Sequence, residues 1–181
     1  MSCAIDRRRR RLLVACVSAA LTGLPARGSG LDASDWSSLK KAIRGRFPEV
    51  RQVGTEELHA AFARGDPPLL LDARTAAEYR VSHLKGAQRA ETAAQAKQAL
   101  GQVPKDRLIV VYCSVGYRSS ALARELMRSG YTQVANLEGS IFEWANKGFE
   151  VYRAAEIVTV VHPYDATWGK LLDRRLWSTT P

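Results

Sequence analysis

The sequence predicts an α/β protein with a parallel sheet sandwiched between helices, and three observations lead there. Short strand candidates alternate with helical segments, and the loops joining them are short. The strongest strand, Leu108 to Tyr112, is apolar at every position, as a strand covered on both faces should be. The 181 residues, 46% hydrophobic and 25% charged, suit one domain with a real core and an appendage, not two enzymatic domains.

Taken in order, residues 1–26 read as a secretory signal. Arg7 to Arg11 form a basic block, Leu12 to Leu24 carry no charge, and small residues near Ala26 mark the exit. The apolar run is short for a membrane anchor. Leu13 to Cys16 imitates a lipoprotein box with almost no apolar segment before it, and a run of five arginines matches twin-arginine pairs too easily to be informative. The reading predicts export, to the periplasm of a bacterium. Residues 27–48 form an N-terminal segment in which Ser34 or Asp35 caps a helix from Trp36 to about Arg44, ended by Gly45 and Pro48.

From Thr55, Thr-Glu-Glu-Leu reads as a capping box opening a helix that Gly65 stops. Leu69 to Leu71 form a short apolar run ending at Asp72, Thr75 to Val81 a helix, Gly86 to Ala90 a short strand, and Thr92 to Leu100 a helix closed by Gly101 and Pro104. After the buried strand, Ser119 to Ser129 is helical, with Leu122 and Leu126 on one face. Val134 to Leu137 is a strand and Ser140 to Lys147 a helix. Beyond Tyr152 the pattern changes: a strand over Ile157 to Val161, a turn at His162 to Asp165, and an amphipathic helix from Trp168 to Trp177. Residues 153–181 are read as an extension packed on the main domain, with a partner-binding tail as the alternative.

Net charge is +9, but without the leader Lys+Arg falls from 27 to 22 and Asp+Glu from 18 to 17, leaving +5. The remaining basic residues are scattered without interleaved aromatics, which argues against nucleic-acid binding. Signal removal also takes Cys3 and Cys16, so Cys113 is the only thiol of the predicted mature chain. By number alone it could be an inert buried residue, a reactive thiol or half of an intermolecular bridge.

Local sequence separates these. Cys113 follows the buried strand directly, and Ser114, Val115, Gly116, Tyr117 and Arg118 lead into a helix. Open parallel sheets bind ligands at the carboxyl ends of their strands. A Gly-containing loop can turn its N–H groups inward as an anion nest, the helix adds its positive end, and Arg118 adds a permanent charge. No acidic residue occurs from Cys113 to Arg124. The thiolate is therefore favoured, and Cys113 is predicted to be a nucleophile of depressed pKa.

These residues belong to a larger pattern. Leu70 to Arg74, Glu78-Tyr79, Ser82 to Ala87, Val111 to Ser120 and Gly130-Tyr131 together resemble a single-domain rhodanese, a thiosulfate:cyanide sulfurtransferase, over residues 49–152. The resemblance implies a five-stranded parallel sheet flanked by helices on both faces. It also implies a persulfide on Cys113 cradled by residues 114–118. This chain departs from the family pattern at Ser114, where Arg or Lys is frequent, and at Ser82 and Lys85, which replace Gly and Pro. The spacing is Cys-x4-Arg, one residue shorter than the Cys-x5-Arg loop of cysteine phosphatases, so sulfur transfer ranks above phosphoryl or arsenate chemistry.

The resemblance also makes Asp72, Arg74, Glu78 and His83 structural, with Arg74 pairing Glu78, and Arg89 is a candidate for the pocket rim. His59 and His162 are read as solvated or structural, and no spacing of His, Cys and carboxylates resembles a metal site. The expected scheme needs no metal, nucleotide or flavin. Its partners are a small anionic sulfur donor and a thiol or cyanide acceptor, with no nucleic acid and no membrane after signal removal. A non-catalytic rhodanese-like module that binds a partner is the competing class.

Overall fold

A computed structural model describes residues 35–181. The signal reading, Cys3, Cys16, Ser34 and the segment 27–34 lie outside the described residues. Five strands form one parallel sheet: β1 (Arg51–Val53), β2 (Leu69–Asp72), β3 (Gln88–Arg89), β4 (Ile109–Tyr112) and β5 (Val134–Leu137), in the order β1-β5-β4-β2-β3. The helices that flank it are α1 (Trp36–Arg46), α2 (Thr55–Ala63), α3 (Ala76–Val81), α4 (Ala93–Leu100), α5 (Tyr117–Arg128) and α6 (Ser140–Asn146).

β4 is the middle strand, and all four of its residues are buried. It pairs Leu70 with Val110 on one side and Val110 with Ala135 on the other. Each of its fully buried Ile and Val side chains contributes about 1.5–3 kcal/mol relative to exposure. From β4 the chain crosses to β5, whereas β2 leads to β3 in the opposite direction, so the connections diverge at the carboxyl end of β4. That divergence opens a crevice, and Cys113 is the first residue in it.

Local chemistry explains most boundaries. Asp35 caps α1 through Ser37 and Ser38 N–H. Thr75 and Glu78 form a reciprocal capping box on α3, and Thr92 caps α4. Leu122 and Leu126 bury the inner face of α5.

Several expectations are corrected. Thr55 is not the cap of α2 but its first residue, after Gly54. Its hydroxyl is engaged instead by Lys147 Nζ, at 2.7 Å. α1 runs through Gly45 to Arg46, where Phe47 N–H still reaches Ile43 carbonyl. α5 begins at Tyr117, two residues before the predicted Ser119, because left-handed Gly116 (φ 114°) starts it early. β1 was not anticipated: it is a three-residue edge strand with only Val53 buried, too little pattern to read.

Beyond residue 152 there is no clean boundary. β6 (Val151–Arg153) and β7 (Glu156–Val158) form an antiparallel hairpin, and a bridge between Tyr152 and His83 ties it to the core. The predicted strand 157–161 thus stops at Val158, and Val161 makes a separate bridge with Trp177. The predicted helix from Trp168 to Trp177 is two 3-10 turns, Trp168–Leu171 and Arg174–Leu176. Asn146 breaks it by donating to Leu171 carbonyl (2.7 Å) and accepting from Asp173 N–H (2.8 Å). Trp177 then folds back on Gly169, where a Cβ would stand 2.6 Å from the indole. Val161, Leu171 and Leu172 join the same buried cluster as the sheet.

Candidate active site

Three connections at the carboxyl edge of the sheet converge on Cys113. The β4–α5 loop supplies Cys113 to Gly116, the first turn of α3 after β2 supplies Glu78, and the first residue of α6 after β5 is Ser140. Cys113 N–H donates to Ser140 Oγ at 3.1 Å, and its carbonyl accepts from Ile141 N–H, so both neighbouring peptide groups are fixed. Ser140 itself has a left-handed backbone (φ 51°), stabilised by its hydroxyl bond to Leu137 carbonyl.

The thiol faces the start of α5. Gly116 N–H donates to Cys113 Sγ at 3.2 Å. Gly116 has to be glycine-like in conformation, and an added Cβ would sit 3.3 Å from Asn136 Nδ2. Ser119 closes the other side, and its hydroxyl donates to Asn136 Oδ1 at 2.6 Å. Burial pushes the Cys113 thiol up, but the Arg118 charge and the donors of Ser119 and Gly116 outweigh it, so the thiol ionises below its ordinary range.

Arg118 is not free to act alone. Its guanidinium holds Glu78 in a two-point pair (2.7 and 3.0 Å) and donates to Ser114 Oγ at 3.0 Å. Ser114 Oγ in turn donates to Glu78 Oε1 at 3.0 Å. Burial raises the Glu78 carboxyl, yet the Arg118 hydrogen bonds and charge override this and hold it down at about 2. The expectation that only terms favouring the thiolate surround Cys113 is therefore corrected. Glu78 sits 40 residues before Arg118 in sequence, where no local pattern could reveal the contact.

A cavity of about 30 Å3 adjoins the thiol, lined by Cys113, Ser114, Val115, Tyr117, Arg118, Tyr164 and Trp168. It is a narrow recess that opens to solvent. Tyr164 and Trp168 come from the extension, and nothing local in the sequence links them to Cys113. The Tyr164 ring lies over the Arg118 guanidinium, 4.5 Å from centroid to Cζ.

A family model for the rhodanese-like domain matches residues 54–147. The chain belongs to the rhodanese-like family. A protein named "Sulfurtransferase" from Allochromatium vinosum is 33% identical over 102 residues, 56% of this chain and 94% of that relative. "Probable adenylyltransferase/sulfurtransferase MoeZ" from Mycobacterium tuberculosis is 30% identical over 79 residues, 43% of this chain but only 20% of that longer protein. Among solved structures, a thiosulfate sulfurtransferase from Pseudomonas aeruginosa superposes with a TM-score of 0.55 at 18% identity, covering 66% of this chain and 23% of that one. At that identity the likeness shows the shared fold.

Within this rhodanese-like domain the remaining candidates fall away from the thiol. Arg74 does not pair with Glu78. Its fork grips Asp72 (Nη2 to Oδ2, 2.7 Å) and donates to Ser82 carbonyl at 2.6 Å, all fully buried. The pairing differs because Arg118 already occupies Glu78, leaving Arg74 to tie the end of β2 to the end of α3. Arg89 is not among the residues lining the cavity; it pairs loosely with Glu91 at 3.4 Å, since β3 ends at the sheet's far edge. His83 stacks on Tyr79 (centroids 4.0 Å apart) and braces the hairpin through Tyr152. His162 lies in the extension, where its Nδ1 accepts the Tyr164 N–H at 3.0 Å. Among the described residues no cluster of His, Cys and carboxylates could hold a metal ion, and no helix is long and apolar enough to cross a membrane.

Proposed function

We propose that the protein is an exported sulfurtransferase that carries a sulfane sulfur as a persulfide on Cys113. The single observation that carries the reading is the Cys113 sulfur facing Gly116 N–H at the positive end of α5, with Arg118 beside it. In the first half-reaction the Cys113 thiolate attacks the outer sulfur of a compact anionic donor such as thiosulfate. The donor's S–S bond breaks as the new S–S bond forms, and sulfite leaves with the electron pair. In the second, cyanide or a thiol attacks the outer persulfide sulfur, and the pair returns to Cys113 as thiolate. This is covalent, ping-pong catalysis in which Gly116, Ser119 and Arg118 stabilise sulfur-centred negative charge at each stage.

The basic block and apolar run of residues 1–26 support export, which intact-mass measurement of the cell-processed protein tests by loss of that segment. For the chemistry, the purified protein is incubated with thiosulfate and weighed. A gain of one sulfur atom, absent in Cys113→Ser, supports the enzyme. The near-complete burial of Cys113 (1% exposed) favours the second reading, a rhodanese-like module that binds a partner without catalysis. No mass gain with several donors would establish that reading instead.

A further inference from the structure

We infer that Tyr164 and Trp168, carried by the C-terminal extension, are substrate-contacting specificity residues that restrict access to Cys113 to compact sulfur donors and acceptors. The inference rests on the proposed role of Cys113 as sulfur carrier and names what that role admits. The β4–α5 loop provides the inner lining of the pocket, but the wall opposite comes from residues some fifty positions later. With that wall in place Cys113 is only 1% exposed, and the recess beside its sulfur is narrow, opening to solvent past the two aromatic side chains. A donor with a bulky organic group must therefore displace two aromatic side chains to approach.

The wall is anchored, not draped. Val161 N–H donates to Leu176 carbonyl at 2.7 Å and Val161 carbonyl accepts from Ser178 N–H. Tyr164 is held in a left-handed conformation (φ 66°) by its N–H bond to His162 Nδ1. Asp165 Oδ1 accepts from both Thr167 and Trp168 N–H, at 2.8 and 2.9 Å. Gly169, next after Trp168, leaves room for the Trp177 indole to pack on the backbone. The front of the wall rests on charge, since the Tyr164 ring covers the Arg118 guanidinium while Glu78 holds its edge. A sulfonate or thiolate thus meets a guanidinium shared with Glu78 and faced by an aromatic ring.

The test uses the full chain and two thiol probes, iodoacetamide and N-(1-pyrenyl)maleimide. Free cysteine gives the reference ratio of their rates. In the wild type the large probe should be disfavoured by at least about tenfold relative to that reference, the discrimination a shaped apolar pocket supplies. Tyr164→Ala and Trp168→Ala should recover most of that factor, whereas Tyr164→Phe should not. Leucine at either position serves where an alanine variant fails to fold, as judged by circular dichroism. A wild-type ratio equal to that of free cysteine, or one unchanged in the folded variants, overturns the proposal. In parallel, wild type and variants are offered thiosulfate and an aryl thiosulfonate, and sulfur uptake is weighed. The wild type should load from thiosulfate preferentially and the alanine variants from both; equal loading by the wild type also overturns the proposal. If no donor loads sulfur, the sulfurtransferase reading fails, while the probe ratio still decides the role of the wall.

Discussion

At Cys113, burial and charge act against each other, and the outcome depends on a few named atoms. Low polarity around the sulfur disfavours its anion, while Arg118, Ser119 and Gly116 favour it. Arg118→Gln removes the largest favourable contribution, so the midpoint of alkylation against pH should move upward, measured with iodoacetamide under stopped conditions. Glu78 makes a second prediction. Its carboxyl titrates near 2 in the folded chain against an ordinary 4.5, so its stabilisation is complete above about pH 4.5 and is lost as pH falls through 2. That displacement corresponds to stability on the order of 3 kcal/mol. Urea unfolding between pH 6 and 2.5 should show much of this loss, and Glu78→Gln should flatten the dependence while lowering stability at neutral pH. The contiguous run Cys113 to Arg118 was legible in the sequence because the loop and the helix start are adjacent in the chain. Glu78 was legible only through the resemblance, as a structural partner for Arg74, since its contact with Arg118 spans 40 positions.

The elements position these residues through turn chemistry at strand ends. Gly116 stands at φ 114° with Asn136 and Ile43 close to where a Cβ would project. Gly116→Ala should therefore cost about 1–3 kcal/mol and displace the amide from the thiol. Chemical denaturation measures the first effect, and a smaller fraction of sulfur-loaded protein by mass reveals the second. Strands β2, β4 and β5 were readable because each is apolar or bounded by turn residues, and β4 above all because both faces are covered. β1 was not, because an edge strand with one inward residue carries no periodic signal. The residues from Trp168 to Trp177 do show helical spacing, yet Asn146 captures the backbone midway and Trp177 turns back onto Gly169. Tertiary hydrogen bonds there override local propensity.

Across the whole molecule, one core unites the sheet with the extension. Val161, Leu171 and Leu172 are as deeply buried as the strand residues, and Trp144 at α6 donates its indole N–H to Glu150 carbonyl at the start of the hairpin. Leu172→Ala should cost about 2–4 kcal/mol, as a buried leucine does in a core that relaxes incompletely. The unfolding transition should stay single and coincide when followed by tryptophan fluorescence and circular dichroism. A separate early transition would mean that the extension unfolds on its own. That the extension packs on the domain was expected from sequence, but its contacts were not readable, because it shares no repeat or motif with the domain it joins.

The dimension of the space beside Cys113 carries a last consequence. Polysulfanes lengthen readily when each terminal sulfur finds room for another, and here the recess is narrow, walled by Tyr164 and Trp168. On the proposed reading of Cys113 as a sulfur carrier, a recess this narrow should favour one added sulfur over a longer chain when the protein meets excess polysulfide, which intact mass would show.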